Sequence, residues 1–297
     1  MSKPLPLRVW DRQRGRSFEE FMEDRPATYE SRPHRSFNQW LESHPLYDWL
    51  LAAYQNTRRS ARQIEPFIRK HGIDMSEFKP VAYQSFAEFF DREFKEGART
   101  FPVEPYVMGA FAEARCFGWE KISSDQCLPV KGHSLRAEDI LNDPERARAF
   151  AGGPVLLARL SPTDYHHVHY FDDGETVGDY RLGHRLWTVN WRALQNDPRI
   201  LCRNERLVSI LKTRHFGTVA FVEVGALSVG RIVQVHPTDR PFARGAEKSA
   251  FRFGGSAILV FGEPGAWLPA QDILEHTRQD TETLVRLGDL VAQGAAP

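Results

Sequence analysis

Two textures divide the chain. Over the first hundred residues, apolar positions recur at three- and four-residue intervals, the spacing of one helix face. Trp40, Leu41, Trp49, Leu50 and Tyr54 form such a series, and Pro45 suits the first turn of its second segment. Ser85-Phe-Ala-Glu88 reads as a capping box; Phe86, Phe89, Phe90 and Phe94 follow at helical spacing, with Gly97 as the stop. A phenylalanine stripe of this kind reads as core packing. After Pro102, short β-rich runs take over at 155–160, 176–182, 207–212, 218–224, 227–235 and 256–261, punctuated by turn signals such as Asp173-Gly174 and Gly225-Ala226. No long helical segment separates these runs, which argues against a parallel α/β sheet and for an antiparallel sandwich or barrel. One short helix is expected over 143–150, with Asp143 as N-cap and Pro144 in its first turn. The tail, 271–291, fits helix or strand equally. The expected fold is α+β: an N-terminal helical region, residues 1–100, packed on a mostly antiparallel β sandwich or barrel, residues 101–297. The one candidate boundary lies near 97–106.

Composition narrows the function classes. The 297 residues carry 39 Lys+Arg against 39 Asp+Glu, so no net field recruits nucleic acid or an anionic surface. The longest apolar runs fall far short of the ~20 residues that span a bilayer. The first 20 residues are basic and polar, so no secretory leader is expected. Three scattered cysteines, Cys116, Cys127 and Cys202, make neither a disulfide framework nor a cysteine zinc site, and suit a reducing cytoplasm.

Candidate chemistry gathers in two places. Ser161-Pro-Thr-Asp-Tyr-His-His-Val-His-Tyr170 packs three histidines into four positions. In extended backbone His167 and His169 share one side and His166 takes the other. Imidazoles suit proton transfer, and neutral imidazole also binds metal. A metal-dependent β-barrel enzyme with His167 and His169 as ligands, completed by Glu113 or His184, is therefore one open reading. The second place is Phe251-Arg-Phe-Gly-Gly-Ser256, leading into an apolar run. Glycines let another group approach the backbone closely, and a serine after them can attack its own preceding carbonyl if a base takes its proton.

Taken together, these segments resemble the phosphatidylserine decarboxylase family, self-cleaving pyruvoyl enzymes. Gly254-Gly255-Ser256, preceded by Phe-x-Phe, resembles the family's processing site, and Asp164-Tyr165-His166-His167-Val168-His169 its Asp-Tyr-His-Arg-x-His motif. Tyr83-x-Ser85-Phe86-x-x-Phe89-Phe90-x-Arg92 with Ala98-Arg99, then Pro129-Val-Lys-Gly132, Asn204-Glu205-Arg206 and Val224-Gly225-Ala226, follow in the family's order, so the likeness runs from about residue 35 to 290. The resemblance implies that His169 deprotonates Ser256, with Glu113 orienting the imidazole, and that Ser256 attacks the Gly255 carbonyl. The resulting ester eliminates to dehydroalanine, and hydrolysis leaves a pyruvoyl cofactor at residue 256, with fragments 1–255 and 256–297. His166 is implied in substrate contact or proton delivery. The implied reaction is decarboxylation of phosphatidylserine, with a free amino acid as the alternative substrate and no metal.

Three positions depart from the family pattern. Glu113 stands where the family has aspartate, His167 where it has arginine between the two histidines, and Ser249 where Gly-x-Glu-x-Gly has its last glycine. A non-catalytic relative would keep the fold without cleavage; the intact Gly255-Ser256 pair argues against it. Peripheral membrane contact through the Trp40–Tyr54 face and a homodimer stay open, and the expected location is cytoplasmic.

Overall fold

A continuous apolar run at the start of the implied C-terminal fragment becomes the middle of the molecule. The computed structural model describes residues 7–20, 45–121, 136–183, 186, 187, 189, 194, 197, 199–226, 231–252 and 256–295. Strand β12 (Ser256–Gly262) is buried at all seven positions. Such a strand needs cover on both faces, which is why its sequence does not alternate. It lies between β5 (Val155–Leu160) and β9 (Thr218–Gly225), antiparallel to both. The sheet extends through β4 (Ala114–Trp119), β14 (Thr281–Val285), β1 (Leu7–Asp11) and β2 (Arg16–Glu20) on one side, and through β8 (Arg206–Thr213) and β7 (Gly174–Leu182) on the other. Nine strands therefore run from β2 to β7. Its two ends do not pair with each other, so the architecture is a sandwich and not a closed barrel. Edge strand β7 alternates half-buried and exposed positions, as a strand with one wet face should.

Helices α4 (Ala137–Leu141), α5 (Pro144–Ala149) and α6 (Ile200–Arg203) cover one face, packing Ile140, Leu141, Ala147, Ile200 and Leu201 on Leu157, Val222, Val224, Ala257 and Leu259. The other face meets two three-stranded sheets. One is β10 (Arg231–Gln234), β11 (Glu247–Arg252) and β6 (His167–His169). The other is β13 (Trp267–Pro269), β15 (Leu290–Gly294) and β3 (Val107–Gly109). Val168, Ile232, Phe251 and Trp267 from these sheets pack on Leu160, Phe221, Ile258 and Val260.

The expected α+β fold and most expected strands are present. Asp143 caps α5 through the Glu145 and Arg146 N–H groups, with Pro144 in the first turn as read from the sequence. Helix α1 (Pro45–Gln55) begins at the expected proline. A second N-terminal helix, α2, spans Ile64–His71. Four local readings differ. The first hundred residues are not wholly helical: β1 and β2 form a hairpin, and β1 joins β14 in parallel. Helix α3 (Phe86–Phe90) stops well short of Gly97. Phe94 lies in extended chain, bridged and stacked on Phe78 with ring centroids 4.6 Å apart. The ambiguous tail is both things in turn: helix α7 (Gln271–Arg278), a reversal at Asp280 with φ 52°, then strands β14 and β15. Within 227–235 the strand is β10, and 227–230 lie outside the described residues. So do Trp40, Leu41, Cys127, the 129–132 motif, His184, Phe253, Gly254 and Gly255.

Candidate active site

Ser256 opens β12, its backbone opposite Leu160 of β5 and Gly225 of β9. Strand β11 ends at Arg252 in a small sheet and β12 begins at Ser256 in the large one. The Ser256 side chain is fully buried, and its Oγ has no hydrogen-bond partner among the described residues. The neighbouring strand end is fixed from below: buried Asn204 donates from Nδ2 to the carbonyls of Gly225, at 2.8 Å, and Trp187, at 2.6 Å.

The histidine segment is braced by the phenylalanine helix. Arg92 follows α3, is 1% exposed, and donates to the carbonyls of Thr163, at 2.6 Å, and Asp164, at 3.0 Å. The Asp164 carboxylate accepts from the Ser161 N–H and from Arg115. His166 Nδ1–H then donates to the Asp164 carbonyl at 3.0 Å. This leaves Nε2 as the bare nitrogen of a buried ring that lies 4.1 Å from the Phe90 ring, with no partner for it among the described residues. Burial lowers the His166 pKa to about 3, so the ring is neutral.

His167 and His169 occupy β6 on either side of Val168 and face β11. His167 Nδ1–H donates to Glu247 at 2.6 Å, and its Nε2 lies 3.4 Å from Asp91. The imidazole thus takes up the space between α3 and β11. His169 Nδ1 sits 2.9 Å from the Gly245 carbonyl, which only accepts, so Nδ1 carries the proton. Nε2 is then the basic nitrogen, and the Tyr165 hydroxyl donates to it at 3.2 Å. Burial lowers the His169 pKa, opposed by the Gly245 hydrogen bond and the Glu247 charge.

Glu113 is brought close by backbone and turned elsewhere by charge. The His169 N–H donates to the Phe111 carbonyl at 2.8 Å, two residues from Glu113. The Glu113 carboxylate, however, accepts from Arg99 Nε at 2.6 Å, and Arg99 also donates to Glu77 at 2.8 Å. Burial raises the Glu113 pKa against the opposing pull of Arg99. Among the described residues the orienting acceptor at His169 Nδ1 is a carbonyl, and no Glu113–His169 hydrogen bond is present.

Three contributors lie outside the roles the motifs imply. Arg99 stands in the Ala98-Arg99 pair, and Tyr165 directly precedes the histidines. The third is buried charge: Glu223 on β9 is fully buried and binds both Lys248 and Ser249 on β11. Register against β6 slips between Glu247 and Ser249, and such a bulge lets consecutive side chains reach one partner. Glu223 stands opposite Ile258, two residues along from Ser256 and on the same sheet face. A signal was available, since Glu223 is a lone charge in a strand whose other residues after Thr218 are apolar or glycine. For the metal reading, no three His, Cys, Asp or Glu side chains converge in ligand geometry among the described residues.

A sequence model of the family described as phosphatidylserine decarboxylase matches residues 86–293. Curated relatives named phosphatidylserine decarboxylase proenzyme agree over most of their length. That of Ruminiclostridium cellulolyticum is 35% identical over 253 residues, 84% of each chain. That of Clostridium novyi is 33% identical over 248 residues, 83% of this chain and 84% of its own. That of Clostridium beijerinckii is 31% identical over 264 residues, 88% and 89%. A match of this breadth, running through the histidine strand and the buried serine alike, shows that the chain belongs to the phosphatidylserine decarboxylase family.

Proposed function

We propose that the chain is a proenzyme that cuts itself between Gly255 and Ser256 and then decarboxylates phosphatidylserine to phosphatidylethanolamine and carbon dioxide. The observation that carries this reading is the state of Ser256: buried, without a hydrogen-bond partner among the described residues, and first in a central strand. A serine hydroxyl kept there without a partner costs stability and suits a nucleophile. The same setting fits a pyruvoyl group at residue 256, which needs no counter-charge there. Once formed, that group supplies the ketone electron sink that ordinary side chains lack.

In this reading His169 Nε2 takes the Ser256 proton as Oγ attacks the Gly255 carbonyl. The ester eliminates to the Gly255 carboxylate and dehydroalanine, and water then releases ammonia to leave the ketone. His166, neutral with Nε2 bare, is suited to accept a hydrogen bond or a proton from substrate, and can deliver a proton only after Nε2 has taken one up. No described helix is long and apolar enough to cross a bilayer. Leu50 and Tyr54 on α1 are 53% and 43% exposed, which supports peripheral contact with a lipid surface from the cytoplasm. Intact mass after expression tests the whole reading. The expected result is two fragments, 1–255 and 256–297, the smaller with a blocked N-terminus. Activity should fall to borohydride, which reduces a ketone, and survive chelators; a single uncut chain would defeat the proposal.

Glu113 is assigned as the supporting acid of His169. Its carboxylate is held by Arg99, so it acts on a developing imidazolium through its field or after exchanging partners. Direct loss of the acid in a serine protease triad costs about 10⁴-fold. Here Glu113→Gln should slow cleavage by a smaller factor, on the order of tenfold, while Glu113→Asp should still process. A time course of uncut chain after synthesis reads this difference. Equal rates for Glu113→Gln and the parent would remove Glu113 from the mechanism.

A further inference from the structure

Tyr165 is buried, 5% exposed, in a cluster with Phe78 and Leu287, and its ring stacks on His167 with centroids 4.6 Å apart and planes 11° apart. This packing fixes where its hydroxyl points. Among the described residues that hydroxyl has one acceptor, His169 Nε2, at 3.2 Å, and the tautomer is set on the opposite side of the ring by the Gly245 carbonyl. The nitrogen that must receive the serine proton is therefore already receiving one hydrogen bond. Ser256 Oγ meanwhile has no partner among the described residues.

We infer that Tyr165 is a positioning residue that caps the basic nitrogen of His169 in the uncut chain and restrains self-cleavage until its hydroxyl gives way. The inference rests on the reading of His169 as the base. A donor on Nε2 stabilises the neutral ring and competes with every other donor for the same lone pair. The cap does not ionise at physiological pH, because burial raises the Tyr165 pKa further. It works by occupancy, and its release needs movement of the Phe78–Tyr165–Leu287 cluster. The other groups facing His169 are Glu247 across β11, His167 on its own strand, and the Phe101 ring 6.1 Å away. None of these donates to Nε2 among the described residues.

Tyr165→Phe keeps the ring, the stacking and the cluster and removes only the donor. The test is the rate of disappearance of uncut chain as a function of pH, for the parent, Tyr165→Phe and His169→Gln, with circular dichroism to confirm equal folding. The expected result is faster cleavage in Tyr165→Phe, by roughly fivefold, the worth of one hydrogen bond. The midpoint of its rate–pH curve should also move upward, since the neutral imidazole loses a stabilising donor. A merely structural tyrosine would leave the midpoint in place. With His169→Gln inert, a parental rate and midpoint in Tyr165→Phe would overturn the cap, and slower cleavage would make the hydroxyl a proton relay instead. His169→Gln cleaving at the parental rate would overturn the base assignment, and the cap with it.

Discussion

Ser256→Ala is expected to accumulate as one uncut chain with no decarboxylase activity. The substitution removes an oxygen that has no hydrogen-bond partner among the described residues, and a methyl side chain fits where the hydroxymethyl sat, so folding should be preserved. Only the nucleophile is lost. Removing the nucleophile of a serine protease costs about 10⁶-fold in turnover. Self-cleavage needs a single event per molecule, so even a thousandfold slowing could escape an end-point gel, but a loss on this scale could not. The comparison is intact mass of parent and variant days after synthesis, beside matched circular dichroism spectra. A Ser256→Ala chain that still separates into two fragments would show that cleavage needs no serine oxygen at this position, and the assignment would fall.

The second large effect is expected in stability. Lys248→Met should destabilise the fold by about 3–5 kcal/mol, because it leaves the Glu223 carboxylate with only Ser249 as partner among the described residues. Both members of the pair are essentially sealed from solvent, at 1% and 0% side-chain exposure. Removing both charges together, in Lys248→Met with Glu223→Gln, should recover most of that loss, since an uncharged pair leaves no unbalanced ion. Thermal unfolding on the Ser256→Ala background measures this on a single uncut chain. A fall on the order of 10 °C for the single variant is expected, with near-parental behaviour for the double one. A single variant as stable as its parent would mean that the two groups do not form a charged pair.

What could be read in advance follows physical lines. The runs that became β5, β8, β9 and β12 were legible because each is a short apolar segment between turn residues, and both faces of the large sheet demand such segments. Helix α5 was legible because its cap and proline act locally. The N-terminal hairpin was not: Leu7–Asp11 and Arg16–Glu20 carry six charged or polar residues in ten, and the hairpin joins the sheet through pairing of β1 with β14, some 270 residues away. At the site, residue identities came from motif resemblance, while their contacts could not. That Glu113 would meet Arg99, and His169 a carbonyl, depends on side-chain directions set by distant elements. The departures at 167 and 249 acquire reasons only in three dimensions. His167 donates to Glu247 on β11, and Ser249 shares Glu223 with a buried lysine.

The placement of β12 bears on what kind of molecule the mature protein would be. Residues 256–297 supply β12 between β5 and β9, and β14 between β1 and β4. A cut at residue 255 therefore yields two polypeptides that remain one folding unit, because parting them would mean stripping central strands from the sheet. The asymmetry lies in the return path. Before the cut, recovery from unfolding is a search by one chain for its own strands; afterwards it is an encounter between two molecules, dependent on their concentration. The smaller partner would also have to find two separate slots in a sheet that lacks its middle. Maturation would thus convert a reversible fold into one held by its unfolding barrier, with a lifetime in place of an equilibrium.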